Sequence, residues 1–238
     1  MAATSTTVPQ VFVIGGANID IQGQSSAVFR GGDSNPGRIG TAFGGVGRNV
    51  AEACLRLGLE VRLITVFGGD PEGERMEADC RAKGMDTGWS LRWEGPSARY
   101  LCALDADGSL VGAVADMEAL DALVPGHLES AAKDLDKAFC IVADTNIPAT
   151  SLAWLCRRYG RLGGTLKDAT RPLLFLDTVS EAKAVKALGL FGEFDCVKPN
   201  MGEALIMAAK RWPPETPGDG PGAIFPKKIG RASCRERV

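Results

Sequence analysis

Residues 15–20, Gly-Gly-Ala-Asn-Ile-Asp, form the first polar segment whose spacing could bind a ligand. Two glycines allow a tight turn and a close approach of the backbone to a small molecule. Asn18 offers hydrogen-bond donors and an acceptor, and the two oxygens of Asp20 suit neighbouring hydroxyl groups of a sugar. The segment therefore predicts a sugar contact, although a plain turn at a strand end, capped by Asn or Asp, has the same pattern.

A second polar segment combines residues 34–38, Ser-Asn-Pro-Gly-Arg, with residues 43–49, Phe-Gly-Gly-Val-Gly-Arg-Asn. Glycines just before a helix expose backbone N–H groups at its positive end. The spacing differs from the Gly-x-Gly-x-x-Gly of dinucleotide-binding proteins, and no buried strand directly precedes it. It favours a pocket walled by Gly44 and Gly45, in which Asn49 donates to a ribose hydroxyl. A simple helix start is the alternative.

Residues 198–203, Lys-Pro-Asn-Met-Gly-Glu, are the third polar segment. Asn200 and Glu203 stand three residues apart at a predicted helix start, so both project to the same side. Oxygen ligands of this kind suit Mg²⁺, usually through water, and Lys198 would face either a phosphate or solvent. The same spacing also fits a capping arrangement, with Asn200 as the cap and Glu203 in the first turn.

An alternation of buried strands and helices must position these segments. Apolar runs predict strands at 11–14, 61–67, 139–142, 173–176 and 195–197, and helical spacing of apolar residues predicts helices at 46–57, 71–83, 151–159, 181–188 and 201–210. Strand-like runs at 89–93, 98–104 and 109–114 interrupt the alternation, the last two joined by a hairpin turn. The sequence therefore predicts an α/β fold with a central, mostly parallel sheet, helices on both faces and a small β appendage. Ligands of such sheets bind at the carboxyl ends of the strands.

Composition argues against several classes of function. The formal net charge of −2 gives no general attraction to nucleic acid or to an anionic membrane. No stretch approaches the roughly 20 apolar residues of a membrane helix, and the polar residues 1–10 do not resemble a secretory signal. The seven cysteines are scattered, without a Cys-x-x-Cys pair, which indicates reduced thiols and a cytoplasmic location.

The first two polar segments resemble the N-terminal signature of the PfkB, or ribokinase-like, family of carbohydrate kinases. Within that family, residues 34–37 and 44–49 resemble the pseudouridine kinases, as do residues 115–117, Ala-Asp-Met, and 142–147, Val-Ala-Asp-Thr-Asn-Ile. The similarity runs from about residue 11 to residue 207. It implies a ribokinase-like fold with a β lid over the substrate, which would come here from about residues 22–43 and 89–114.

The resemblance also implies a reaction and its participants. The γ-phosphate of ATP would pass to the 5′-hydroxyl of pseudouridine in the presence of Mg²⁺. The partner would be this small nucleoside, with no nucleic acid and no membrane, and the lid is the surface through which a homodimer would form. The substrate-binding residues would be Asn18, Asp20, Ser34, Asn35, Gly44, Gly45, Asn49, Asn146 and Asp177. The phosphate and metal positions would be Lys198, Asn200 and Glu203.

The catalytic segment of the family, Gly-x-Gly-Asp near the C-terminus, has no acceptable counterpart, so no catalytic residue is predicted. Its glycine N–H groups stabilise negative charge, and its Asp accepts the substrate proton. Here residues 218–220, Gly-Asp-Gly, lie in a proline-rich loop. Residues 229–238 match one reading frame of a common sequencing adapter. We therefore expect a partial kinase domain at 1–227, a non-native tail at 228–238, and no ATP-dependent phosphorylation by this chain.

Three other functions stay open at this point. The chain could come from another PfkB kinase, acting on ribose, a ketose or a purine nucleoside, which a panel of substrates would reveal. It could be a nucleoside-binding module without catalysis. The intact protein could also be fused to a glycosidase that cleaves pseudouridine. The nucleotide sequence downstream of codon 227 would test the last two.

Overall fold

The computed structural model describes residues 8–166 and 171–211, so the segments 218–220 and 228–238 lie outside the described residues. The strands are β1 Gln10–Ile14, β2 Asn18–Ser25, β3 Gly37–Gly44, β4 Glu60–Ile64, β5 Val66–Gly68, β6 Leu91–Trp93, β7 Arg99–Leu104, β8 Leu110–Asp116, β9 Cys140–Asp144, β10 Leu173–Asp177 and β11 Cys196–Lys198. The helices are α1 Val46–Arg56, α2 Pro71–Ala82, α3 Pro125–Ser130, α4 Ala132–Leu135, α5 Ala149–Tyr159, α6 Glu181–Ala184 and α7 Met201–Arg211. Short 3₁₀ turns cover Glu118–Ala122, Val185–Ala187 and Phe191–Glu193.

The main sheet is parallel throughout, in the order β11-β10-β9-β1-β4. Strand β1 is buried on both faces, as its continuous apolar run predicted. Val11 and Val13 face a core with residues of α1 and α2, whereas Phe12 and Ile14 face a larger core with residues of α3, α4 and α5. The predicted α/β fold with helices on both faces of the sheet is therefore confirmed.

A separate four-stranded sheet has the order β3-β2-β7-β8. Strand β2 runs antiparallel to β3 and parallel to β7, and β7 pairs antiparallel with β8 through the predicted hairpin turn. The sheet contains much of the two segments, 22–43 and 89–114, for which a lid was predicted. Its first strand begins at Asn18, so Asn18 and Asp20 stand on this sheet, next to the carboxyl end of β1.

The predicted single strand at 61–67 is wrong in one respect, because the chain changes sheet at Thr65. Strand β4 belongs to the main sheet, while β5 pairs with β6 in a small parallel sheet of its own. Thr65 donates its N–H to Ser90 Oγ at 3.2 Å, and its carbonyl accepts from Leu91 N at 2.8 Å. These bonds draw the backbone away from β1. A continuous apolar run in the sequence does not reveal that the chain leaves one sheet and joins another.

Helix α2 begins and ends as its sequence predicted. Asp70 caps it by accepting from Gly73 N at 2.8 Å, Pro71 occupies its first turn, and Gly84 follows its end with φ 98°. The segment 181–188 was predicted as one helix and instead divides into α6 and a 3₁₀ turn. Among the described helices, none is both long enough and apolar enough to cross a membrane.

Candidate functional site

The loop between β1 and β2 positions the first pair of predicted contacts. Residues 15–17 leave the main sheet at the carboxyl end of β1, and Asn18 and Asp20 follow on β2. Asn18 is 5% exposed, and its amide donates to Asp20 Oδ1 at 2.6 Å. This contact fixes the half-buried carboxylate of Asp20 where the two sheets meet. Its other oxygen, Oδ2, accepts no hydrogen bond from the residues that the structure describes.

Gly44 and Gly45 form the wall beside Asp20. Gly44 pairs with Asn18 across β2 and β3, and a Cβ atom there would lie 2.0 Å from Asp20 Oδ2. Gly45 has φ 98°, which L side chains rarely adopt, and its Cβ would lie 2.4 Å from Gly16 O. The structure thus brings Asn18, Asp20, Gly44 and Gly45 together in a space that larger residues would fill.

Asp144, at the carboxyl end of β9, joins the loops of this region. It is 2% exposed, and its Oδ2 accepts from Gly16 N at 2.8 Å while its Oδ1 accepts from Asn146 N at 2.8 Å. Burial raises the pKa of Asp144, and these bonds oppose the rise. Asp144 was not among the predicted site residues, although an acidic residue that ends an apolar strand was an available signal.

The first turn of α1 uses its N–H groups within the protein. Arg48 N donates to Gly16 O at 3.0 Å, and Asn49 N donates to Gly45 O at 2.9 Å. These two N–H groups therefore support the loops that contain Gly16 and Gly45.

Asn49 lies on the exposed side of α1. Its Oδ1 accepts from Arg48 Nη1 at 3.3 Å, and it borders a surface groove together with Glu52 and Arg56. Within residues 8–166 and 171–211, no hydrogen bond joins Asn49 to Asp20. The contact of Asn49 with the ribose therefore stays a prediction.

Asn146 packs against residues 15–17, the glycine loop between β1 and β2. It is 6% exposed, and a Cβ atom at Gly16 would lie 2.7 Å from its Nδ2. Its Oδ1 accepts from Lys183 Nζ at 2.5 Å. Burial lowers the pKa of Lys183, while the nearby charge of Asp144 opposes the change. Asn146 is thus part of the site, with its acceptor oxygen already bound to an ammonium group.

Ser34 and Asn35 lie in the loop at the far end of β2 and β3. Asn35 Oδ1 accepts from Arg30 N at 2.8 Å, and its Nδ2 donates to Arg30 O at 2.9 Å, so this amide organises the loop itself. Ser34 is exposed. Strand β2 ends at Ser25, a distance from Asp20 of about 16 Å along an extended strand. The structure does not place Ser34 and Asn35 beside Asp20.

Asp177 and Lys198 end the neighbouring strands β10 and β11. They are register partners, and Lys198 Nζ lies 3.1 Å from Asp177 Oδ2. Asp177 is also the register partner of Asp144 on β9, so charged residues end three adjacent strands. Three strand spacings, about 14 Å, separate β1 from β11. A ligand lying along this edge would contact the glycine loops at one end and Lys198 at the other.

Asn200 and Glu203 form a reciprocal cap at the start of α7. Asn200 Oδ1 accepts from Glu203 N at 2.9 Å, and Glu203 Oε2 accepts from Asn200 N at 2.9 Å. Asn200 Nδ2 donates to Glu203 Oε1 at 2.8 Å, and Thr178 Oγ1 donates to Oε2 at 2.5 Å. Glu203 is 4% exposed. The capping arrangement that the sequence allowed is therefore present.

The fit of a divalent cation to this edge depends on which oxygens remain available. In the part of the chain that the structure describes, no group of three or more His, Cys, Asp or Glu side chains could hold a metal ion. Both oxygens of Glu203 accept hydrogen bonds, and the carboxylate of Asp177 contacts Val179 N and Lys198 Nζ. Mg²⁺ commonly keeps several of its waters. The edge around Asn200 and Glu203 therefore fits a hydrated cation better than a directly coordinated one.

The fold, with polar side chains along the carboxyl edge of the main sheet, is that of a ribokinase-like α/β protein. Comparisons with known proteins agree. A solved carbohydrate kinase from Agrobacterium tumefaciens superposes with a TM-score of 0.71 at 31% identity, covering 84% of this chain and 64% of that one. A ribokinase from Giardia lamblia shares the fold with a TM-score of 0.68 at 20% identity, covering 83% of this chain and 60% of that one.

Sequence comparison identifies the family. Residues 8–216 match the pfkB family carbohydrate kinases. The chain is 33% identical over 195 residues to a pseudouridine kinase of Escherichia coli, and 25% identical over 200 residues to a pseudouridine kinase of Arabidopsis thaliana. Each match covers 82% of this chain, which spans 59% of the first relative and 50% of the second. The chain belongs to the pfkB family of carbohydrate kinases.

Proposed function

We propose that this chain is the nucleoside-binding part of a kinase that transfers phosphate from ATP to the 5′-hydroxyl of pseudouridine. The observation that carries the proposal is the carboxylate of Asp20, which Asn18 holds beside Gly44 and Gly45 and whose Oδ2 accepts no hydrogen bond from the described residues. Such a carboxylate accepts hydrogen bonds from ribose hydroxyls. The names of the two pseudouridine kinases to which the chain is similar support this nucleoside as the substrate.

Charged residues along the carboxyl edge of the main sheet would orient the bound nucleoside. The carboxylate of Asp20 makes the glycine end unfavourable for phosphate, because like charges repel. The ribose hydroxyls would therefore bind at Asp20, with the 5′-hydroxyl directed along the edge toward Lys198. Lys198 is 82% exposed and offers an ammonium group to the transferred phosphate.

Mg²⁺ and ATP would bind at the end of the sheet edge that carries Lys198, opposite the ribose site. Asn200 and Glu203 would hold waters of the cation, and Lys198 would contact phosphate oxygens. When bound, Mg²⁺ offsets the negative charge of the phosphate groups. The Gly-x-Gly-Asp segment that the family resemblance implies has no acceptable counterpart in residues 1–238, so binding, rather than turnover, tests the function of this chain.

Calorimetric titration of the 238-residue chain with pseudouridine, uridine, guanosine and ribose tests the proposal. Pseudouridine should bind most tightly, and Asp20→Ala should weaken it about 10- to 100-fold, since a hydrogen bond to a charged group contributes roughly 1.5–3 kcal/mol. Asp107→Asn, in the exposed turn between β7 and β8, is the matched control and should leave the affinity unchanged. Equal or tighter binding of guanosine would instead favour a purine nucleoside kinase, the class of the Exiguobacterium acetylicum guanosine-inosine kinase, 28% identical over 153 residues.

We also propose that the four-stranded sheet is a lid that pairs with a second copy of the chain. The face of this sheet that contacts α2 also carries Ile39, Leu101 and Val114, which are 79%, 49% and 67% exposed. Apolar area of this kind on one sheet face is typical of an interaction surface. Sedimentation equilibrium should show a dimer that Leu101→Lys dissociates. A wild-type chain that stays monomeric at high micromolar concentration would contradict the pairing.

A cytoplasmic location is the last part of the proposal. The six cysteines within the described residues are free: Cys54, Cys80, Cys102, Cys140, Cys156 and Cys196. Free thiols are usual in reducing compartments. Fractionation of cells that express the chain tests the location.

A further inference from the structure

Contacts with α2 identify one face of the four-stranded sheet and thereby the opposite face. Arg99 Nη2 lies 3.0 Å from the carboxylate of Asp70, which caps α2, so Arg99 faces that helix. Ile19 and Ile21 border a cleft of about 330 Å³ that also includes residues of α2. Side chains alternate along a strand, so the residues between these turn to the opposite side. We name that side, which carries Asp20, the inner face.

The inner face places an aromatic ring beside Asp20. Tyr100 is the register partner of Asp20 across β2 and β7, and it is half-buried. Its neighbours on the same face are small: Ala42 is the register partner of Asp20 on β3, and Ala115 is that of Tyr100 on β8. Neighbouring strands of a sheet lie roughly 5 Å apart. A flat molecule could therefore lie on this part of the sheet against the ring of Tyr100.

Gln22 adds a polar group to the same face. It stands two residues beyond Asp20, is exposed, and has Gly40 and Cys102 as its register partners. In the described parts of the chain, neither the amide of Gln22 nor the hydroxyl of Tyr100 takes part in a hydrogen bond. Gln24, the next residue on this face, differs because its amide donates to Ala106 O at 3.3 Å. The free amide of Gln22 offers a donor and an acceptor side by side.

We propose that Tyr100 and Gln22 recognise the base of the bound nucleoside, an inference that rests on the proposed function. With the ribose at Asp20, the base would lie over Tyr100 and Gln22. These two residues lie between Asp20 and the distant loop of Ser34 and Asn35. The ring of Tyr100 would stack on the heterocycle. The amide of Gln22 would pair with a base edge that carries one N–H group and one carbonyl, which pyrimidine-2,4-diones have. The site would thus prefer a nucleoside of this class to a free sugar.

Titration with pseudouridine and with ribose separates base recognition from ribose recognition. Tyr100→Leu should weaken pseudouridine binding about tenfold or more, because stacking on an aromatic residue contributes roughly 1–3 kcal/mol per base, and should change ribose binding less than about twofold. Tyr100→Phe should retain most of the affinity for pseudouridine. Gln22→Leu should also weaken pseudouridine selectively. Asp107→Asn, in the exposed turn between β7 and β8, is again the control, and thermal melting should show that every variant is folded.

The outcomes distinguish this inference from the function on which it rests. Pseudouridine binding that is unchanged in Tyr100→Leu, or that falls in parallel with ribose binding, would overturn the base site and leave the nucleoside substrate in place. Failure of the wild-type chain to bind either pseudouridine or ribose would refute the proposed function and the base site together.

Discussion

Asparagine in place of Asp144 should lower the free energy of unfolding at pH 7 by about 2–3 kcal/mol, since an unpaired buried polar group costs roughly 1–3 kcal/mol. The amide can keep one acceptor oxygen, but its NH₂ group would face Gly16 N–H or Asn146 N–H, which now donate to the carboxylate. The glycine loop carries Asn18 and Asp20, so pseudouridine affinity should fall as well. Denaturant unfolding and calorimetry measure the two effects.

A matched control separates this effect from the loss of any buried hydrogen bond. Ser151 is 0% exposed in the first turn of α5, and its hydroxyl donates to Leu123 O at 2.5 Å and not to the glycine loop. Ser151→Ala should lower stability by about 1 kcal/mol and leave the affinity of the folded chain unchanged. If Asp144→Asn behaves in the same way, Asp144 supports the fold only and does not position the substrate loop.

The pH dependence of stability gives a second measurement on the same variant. Burial raises the pKa of Asp144, so the folded chain holds this proton more tightly than the unfolded chain, in which the pKa is about 3.9. The stability contributed by the protonated group is fully present below that value and is lost as pH rises toward the folded pKa. From about pH 3.9 upward, the wild type should therefore lose stability relative to Asp144→Asn, which does not titrate. Parallel pH profiles would contradict the raised pKa.

The main sheet could be predicted from sequence because both of its faces are buried. After Gln10, a strand such as β1 is apolar at every position, and each following helix shows its own apolar spacing and its Gly or Pro boundary signals. The first half of the four-stranded sheet was harder to predict. Strands β2 and β3 contain Gly23, Gly37 and Gly40, residues that strands disfavour, and much of β3 is exposed. Their pairing is visible only in the folded chain.

The candidate site was predictable where neighbours in sequence are also neighbours in space. Asn18 and Asp20 contact each other directly, as do Asn200 and Glu203. Asp144 was missed because its main partner, Gly16, is 128 residues away. Its place at the end of an apolar strand was a signal, but nothing in the sequence paired it with Gly16. A motif locates residues on the chain, whereas the distance between motifs depends on the pairing of strands.

Alanine in place of Glu203 should lower the free energy of unfolding by about 2–4 kcal/mol, because each unpaired buried polar group costs roughly 1–3 kcal/mol. The substitution removes the acceptor of Asn200 N and leaves Thr178 Oγ1 with only its longer contact, 3.3 Å, to Lys198 O. It also removes the link between α7 and the end of β10, so α7 should fray in hydrogen exchange. Glu74→Ala, on the exposed first turn of α2, is the control and should change stability by less than about 0.5 kcal/mol.

The capping role and the metal role of Glu203 can be measured separately. Capping predicts that Glu203→Ala loses the same stability with and without Mg²⁺, because the hydrogen bonds involve protein groups alone. A hydrated cation at this edge predicts in addition that Mg²⁺ raises the melting temperature of the wild type and of Glu74→Ala but not that of Glu203→Ala, since only a ligand bound to the folded state stabilises it. Equal Mg²⁺ effects in all three chains would leave Glu203 as a helix cap and remove it from the proposed cation site.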